Sequence, residues 1–208
     1  KDGPIDDPDT SRFRLEVIKV PLAAPQTAAI ISSPRIFYGL APPPRRVEPG
    51  RGGAGRGADA AATGATAGTG RGGGRANTGP NQCHDVTVYP EIGLAGGACG
   101  GYGLLLDIKD VANPTHIDQA ADINMSFWHS ATFSNDGTKI LFSDEWGGGS
   151  QPRCRETDKL EWGANALFTI DNGKMNFKSY YKIPAAQTSF ENCVAHNGSL
   201  VPIPGREV

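Results

Sequence analysis

Three histidines head short segments of one pattern. His84-Asp85-Val86-Thr87-Val88, His129-Ser130-Ala131-Thr132-Phe133 and His196-Asn197-Gly198-Ser199-Leu200 each run histidine, small polar residue, small residue, hydroxyl residue, apolar residue. A neutral imidazole is a good ligand for Zn and Cu, and three on a rigid scaffold leave an open coordination position. At equivalent positions of a repeat, His84, His129 and His196 form a candidate metal-binding ring. The competing reading is that each imidazole hydrogen-bonds the neighbouring repeat. Close by in sequence stands Ser143-Asp144-Glu145-Trp146-Gly147. Asp144 and Glu145 are candidates for orienting an imidazole or for ligating directly. The alternative is solvated charge at a strand end, with Trp146 packed behind it.

The four cysteines, Cys83, Cys99, Cys154 and Cys193, contain no Cys-x-x-Cys, which leaves zinc-ribbon, thioredoxin and haem-attachment motifs without support. An even number in a loop-rich chain points to two disulfides and an oxidising compartment. Cys83 and Cys99 bracket a predicted hairpin centred near Glu91, which favours Cys83–Cys99 and Cys154–Cys193 among the three pairings; four reduced thiols are the alternative. The glycines of 96–101 precede a strand and offer phosphate no helix N-terminus. Asp2, Asp6, Asp7 and Asp9 lack the spacing of a Ca²⁺ loop. Asn197-Gly198-Ser199 fits the glycosylation pattern on a predicted inner strand.

The elements that must carry these groups are short and β-rich. Ala131-Thr132-Phe133 and Lys139-Ile140-Leu141-Phe142 flank Asn135-Asp136-Gly137, and Asp-Gly between apolar runs predicts a tight hairpin. Asn172-Gly173 predicts another, between 166–170 and 175–181. The two-residue period of a strand puts Met175, Phe177, Ser179 and Tyr181 on one face. Residues 104–108 read as a strand ended by Asn113-Pro114, and His116-Ile117-Asp118 begins the next. Residues 26–31 have room for a turn or two of helix between Pro25 and Pro34. The predicted fold class is all-β.

One stretch is different. Residues 48–80 contain 12 of the 28 glycines and no Val, Ile, Leu, Met, Phe, Trp, Tyr or Cys. Ordering costs roughly 1–2 kcal/mol per residue and nothing here is available to bury in return, so a disordered insertion is expected. Arg51, Arg56, Arg71 and Arg75 give it a likeness to RNA-binding arginine-glycine tracts. No aromatic residue is interleaved for base stacking, and a solvated loop is the preferred reading. A net charge of −2 likewise argues against a nucleic-acid partner. No run approaches the ~18 apolar residues of a membrane-spanning helix.

Repeats organise the remainder. Gly103-Leu104-Leu105-Leu106-Asp107-Ile108-Lys109-Asp110-Val111-Ala112-Asn113-Pro114 is echoed by Leu15-Glu16-Val17-Ile18-Lys19 leading to Ala23-Ala24-Pro25, and more faintly by 166–171. The histidine motifs are 45 and 67 residues apart. The first spacing matches the roughly 40–50 residues of a four-stranded propeller blade. The second is lengthened by an insertion around 147–163.

Residues 103–114 resemble the signature of LVIVD-repeat proteins, secreted or cell-surface bacterial β-propellers mostly of unknown function. The resemblance extends over 83–208 and, less closely, 12–34. Taken with the composition, it divides the chain into an acidic N-terminal segment with the outer strands of a partial blade at 1–47, the insertion at 48–80, which it does not cover, blades at 81–122 and 123–186, and the start of another at 187–208. Since closure takes about four to eight blades, these three blades' worth of chain are expected to be a partial propeller. Its remaining blades would come from the parent chain or another chain. A small two-sheet sandwich is the alternative architecture. The order histidine, strand, turn, strand, Glu-Trp-Gly is also similar to the selenium-binding-protein propellers, which include copper-dependent methanethiol oxidases with histidines near the channel. The expected function is an extracytoplasmic (secreted, periplasmic or cell-surface) binding or scaffold module with a protein or glycan ligand at the channel mouth. The alternative is a Cu- or Zn-dependent enzyme, such as an oxidase, built on the three histidines with Asp144 or Glu145 carrying protons.

Overall fold

The computed structural model describes residues 3–4, 6–44, 82–146, 158–182, 194–199, 201 and 203–205. The insertion at 48–80, most of that at 147–163, and both Cys154 and Cys193 lie outside the described residues. What is described is all-β. A two-stranded ribbon pairs β1 (Val17–Lys19) with β2 (Ala29–Ser32). One four-stranded antiparallel sheet runs β3 (Asp85–Tyr89), β4 (Leu94–Cys99), β5 (Tyr102–Asp107) and β6 (Thr115–Ala120) in sequence order. A second runs β7 (Trp128–Phe133), β8 (Lys139–Asp144), β9 (Asn165–Asp171) and β10 (Lys174–Tyr181) in the same way. The helical turn expected within 26–31 is a single 3-10 turn at Pro25–Thr27, and strand β2 takes over at Ala29.

Turn chemistry fixes the meanders. In the β7–β8 turn the Asp136 carboxylate accepts hydrogen bonds from Ser134 Oγ (2.6 Å), Thr138 N (2.9 Å) and Thr138 Oγ1 (2.8 Å). Those bonds, led by the Ser134 hydroxyl, hold its pKa well below the usual carboxylate range. The β9–β10 turn puts both Asn172 (φ 49°) and Gly173 (φ 74°) in the left-handed region, the conformation an Asn-Gly pair tolerates best.

The two sheets pack face to face. Ala98 and Leu105 of the first meet Trp128, Ala131, Phe133, Ile140, Phe142, Ala166 and Phe168 of the second, all of them buried. Polar ties cross at the outer edges. The Asp118 carboxylate accepts from Met175 N (2.7 Å), and the Tyr180 hydroxyl donates to Asp122. Burial, reinforced by that hydrogen bond, pushes the Tyr180 pKa up to about 12. The opposite face of the first sheet, with Ala95, Leu104, Leu106 and Cys99, is covered by Phe13 and Phe37 of the N-terminal segment. The central strands β4 and β5 are therefore apolar on both faces and read as continuous runs rather than alternating ones.

One strand face differs from expectation. The β9–β10 register shifts between Phe177 and Ser179, so Lys178 is an extra residue. A bulge inverts the alternation beyond it. Met175 and Tyr180, not Tyr181, pack against the core, while Tyr181 is exposed.

Small residues set the spacing between sheets. A Cβ on Gly103 of β5 would lie 2.5 Å from Trp128 Cζ3 and 2.7 Å from the Phe142 ring. Gly103→Ala is accordingly expected to cost about 1–3 kcal/mol through overpacking, read as a lowered urea midpoint with unchanged slope. A change below about 0.5 kcal/mol, the range of an ordinary surface substitution, would contradict this close approach.

Candidate functional site

His84 enters the site at the head of β3. Its backbone N donates to Ala98 O (2.8 Å), which extends the β3–β4 pairing past Asp85. Cys83 beside it is disulfide-bonded to Cys99 at the end of β4. The hairpin register that sets Asp85 opposite Ala98 brings the two sulfurs together, as the bracketing of Glu91 implied.

His129 is the second residue of β7. Pairing with β8 jumps from Trp128↔Asp144 to Ala131↔Phe142, so His129 and Ser130 form a β-bulge. Bulges re-aim side chains and recur beside functional sites. Here Trp128 and Ala131 keep the core face while His129 and Ser130 are turned toward the cleft. The sequence pattern carries no signal for this extra residue.

His196 lies on the extended segment 194–199, which runs beside β7 but is not a ladder strand, unlike the inner strand expected there. Side chains hold it in place. Ser130 Oγ donates to His196 O (3.0 Å), Ser143 Oγ also donates to His196 O, and Thr132 Oγ1 donates to Gly198 O (3.0 Å). The buried Ser130 and Ser143 hydroxyls are 2.7 Å apart. Neither serine stood out as a site residue in the sequence.

The three imidazoles stack in series. Ring centroids are 4.1 Å apart for His84–His129 and again for His129–His196, with tilts of 37° and 36°. The Phe127 ring flanks His84 at 5.2 Å, and His84 Nδ1 lies 3.2 Å from His129 O. Glu145 reaches two of the three rings. Its Oε2 is 3.5 Å from His129 Nε2 and its Oε1 is 3.6 Å from His196 Nε2. The ligand atoms of His129, Glu145 and His196 all lie within 4.8 Å of one another.

No known protein family and no curated protein matches this chain.

Electrostatics suit a neutral His129. Burial lowers the His129 pKa, and repulsion from a charged His84 or His196 lowers it further. Glu145 and Asp85 pull weakly the other way. The middle ring of the stack is thus neutral near pH 7, with a lone pair to offer. Asp144 plays a different part from its neighbour. Fully buried, its Oδ1 accepts from Ser126 N (3.0 Å) and Phe127 N (2.7 Å), and its Oδ2 accepts from Gly163 N (3.2 Å). It braces the loop that carries Phe127 and ties it to Gly163.

The stack opens into a cleft of about 720 Å³ lined by His84, His129, Glu145, His196, Asn197 and Ser199 among others. The His196 side chain is 57% exposed, that of His129 only 5%. The middle ring is therefore enclosed, while His84 and His196 on either side of it are exposed. Such an arrangement can hold a small polar ligand or a cation.

Proposed function

We propose that the chain supplies blades of an extracytoplasmic LVIVD-type β-propeller, acting as a binding or scaffold module whose ligand occupies the cleft at His84, His129 and His196. The observation that carries this reading is the serial stacking, at the same 4.1 Å step, of three histidines that head similar sequence segments, at one open cleft. Two further features support it. Both four-stranded sheets are sequential meanders that start next to or within a histidine-led segment, and they pack with β3 near β7 and β6 near β10. That is how neighbouring blades lie, inner strand by inner strand and outer by outer. The Cys83–Cys99 disulfide suits an oxidising compartment.

A thermal-shift screen of glycans and short peptides tests the reading, run on the full chain and on Asn197→Trp, which fills the cleft. A ligand present at 100 times its Kd stabilises by about 2.7 kcal/mol, a shift of several degrees for a domain of this size. The expected result is a shift with wild type that disappears in Asn197→Trp. A shift of equal size in both would place the ligand elsewhere and overturn the assignment.

A further inference from the structure

The cleft contains a group that neither a scaffold nor a hydrogen-bonded histidine ladder accounts for. Glu145 is 16% exposed and each of its oxygens faces an imidazole nitrogen, Oε2 at 3.5 Å from His129 Nε2 and Oε1 at 3.6 Å from His196 Nε2. Both distances exceed the 2.7–3.2 Å of a good N–H···O hydrogen bond, so the carboxylate is not placed to use either ring as a donor. They fall close to another length. Ligands about 2.0–2.1 Å from a tetrahedral zinc ion are separated from each other by about 3.3–3.4 Å, the edge of the coordination tetrahedron.

The geometry points to a zinc site in which His129 Nε2, His196 Nε2 and the Glu145 carboxylate, with one oxygen toward each ring, are the protein ligands, and a further position is open to the cleft. This inference rests on reading the cleft as a ligand site and names the ligand's chemical class.

The choice of ion follows from the donors. Two imidazoles and one carboxylate are borderline ligands that suit Zn²⁺, whereas Mg²⁺ demands oxygens and retains its waters. Three protein ligands plus an open position is the arrangement of zinc sites that engage an exchangeable molecule. The rings of His129 and His196 are tilted by 36° rather than parallel, and closing them onto one ion takes a further rotation of His196. Its side chain has the freedom to make it, being 57% exposed, while the backbone stays held at His196 O.

His84 is assigned a positioning part instead of a ligand's. It is not in the group whose ligand atoms converge within 4.8 Å. Its ring covers one face of His129 while its Nδ1 sits against His129 O. It therefore confines the buried ligand ring between itself and His196.

Zinc chloride is the probe, titrated calorimetrically into the full oxidised chain at pH 7 with magnesium chloride as control. Zinc X-ray absorption on the loaded protein reports the donor atoms. The expected result is one zinc per chain with only nitrogen and oxygen neighbours at about 2.0–2.2 Å and no magnesium binding. Glu145→Gln and His196→Ala should each weaken binding by at least ~100-fold, more than the 10–100-fold typical of outer-shell partners. Both alter side chains that are not fully buried, and circular dichroism verifies their folding. His84→Phe keeps a stacked ring but has no nitrogen, and should retain zinc within about tenfold of wild type. Wild-type zinc affinity in Glu145→Gln would overturn the proposal, as would sulfur among the neighbours. A loss in His84→Phe as large as in His196→Ala would overturn its assignment as a non-ligand. Should zinc fail to bind while a glycan or peptide shift still vanishes in Asn197→Trp, the zinc inference falls and the ligand-module reading stands.

Discussion

Asp144→Ala is expected to destabilise the fold by on the order of 3–5 kcal/mol, because each buried N–H left without a partner costs about 1–3 kcal/mol. The substitution strips the acceptor from Ser126 N, Phe127 N and Gly163 N at once. Asp144 is fully buried at the end of β8. The two loops it ties together approach the cleft from opposite sides. One carries Phe127 against His84, and the other carries Gly163, whose carbonyl accepts from Ala195 N beside His196 (2.8 Å). Asp144→Asn keeps an acceptor oxygen but loses the charge assistance, so about 1–2 kcal/mol is expected there. Urea unfolding at pH 7 reads both. An Asp144→Ala loss below about 0.5 kcal/mol, the surface range, would show that the carboxylate does not brace these loops.

The second large effect is expected from removing the Cys83–Cys99 disulfide. The cysteines are 16 residues apart, and a cross-link closing a loop of about that length stabilises by about 3 kcal/mol through the unfolded chain. Cys83→Ala/Cys99→Ala should therefore lose about 2–4 kcal/mol. Cys99 is fully buried among Phe13, Phe37 and Leu104, whereas Cys83 is only partly covered. Removal thus opens little cavity and mainly frees the lead-in to β3. The site should register it. With 82–84 released, His84 no longer stays stacked on His129, and its ring protons should lose the shift imposed by the neighbouring ring in a proton NMR spectrum. Unchanged stability and an unchanged His84 shift would mean that β3–β4 pairing alone holds the strand head. A chain that loses stability but keeps the shift would separate the two parts of the argument.

Most of what was legible in the sequence was local. Asp136-Gly137 and Asn172-Gly173 mark their hairpins because left-handed backbone is tolerated by few residues, and both turns form where those pairs stand. The Cys83–Cys99 pairing follows from a hairpin register that the bracketing of Glu91 by the two cysteines already suggested. The faces of strands were legible only up to the first irregularity. Lys178 adds one residue to β10 and moves the buried position from Tyr181 to Tyr180; nothing about the lysine announces the shift.

The site divides in the same way. The sequence by itself determined that His84, His129 and His196 each head a segment of similar residue order, that short strands and tight turns make up the described fold, and that Asp144 and Glu145 follow nearby. Tertiary structure alone decided which of the two adjacent carboxylates meets the imidazoles. Asp144 and Glu145 are chemically near-equivalent and differ only in the direction each side chain takes from a strand end. That direction depends on where the strand's pairing stops and on which backbone N–H groups the loops of 126–127 and 163 present. The bulge at His129 and Ser130 likewise arises from two strands paired out of step. Register between strands is a property of the pair, held by the packing of one sheet against the other, and no single run of residues encodes it.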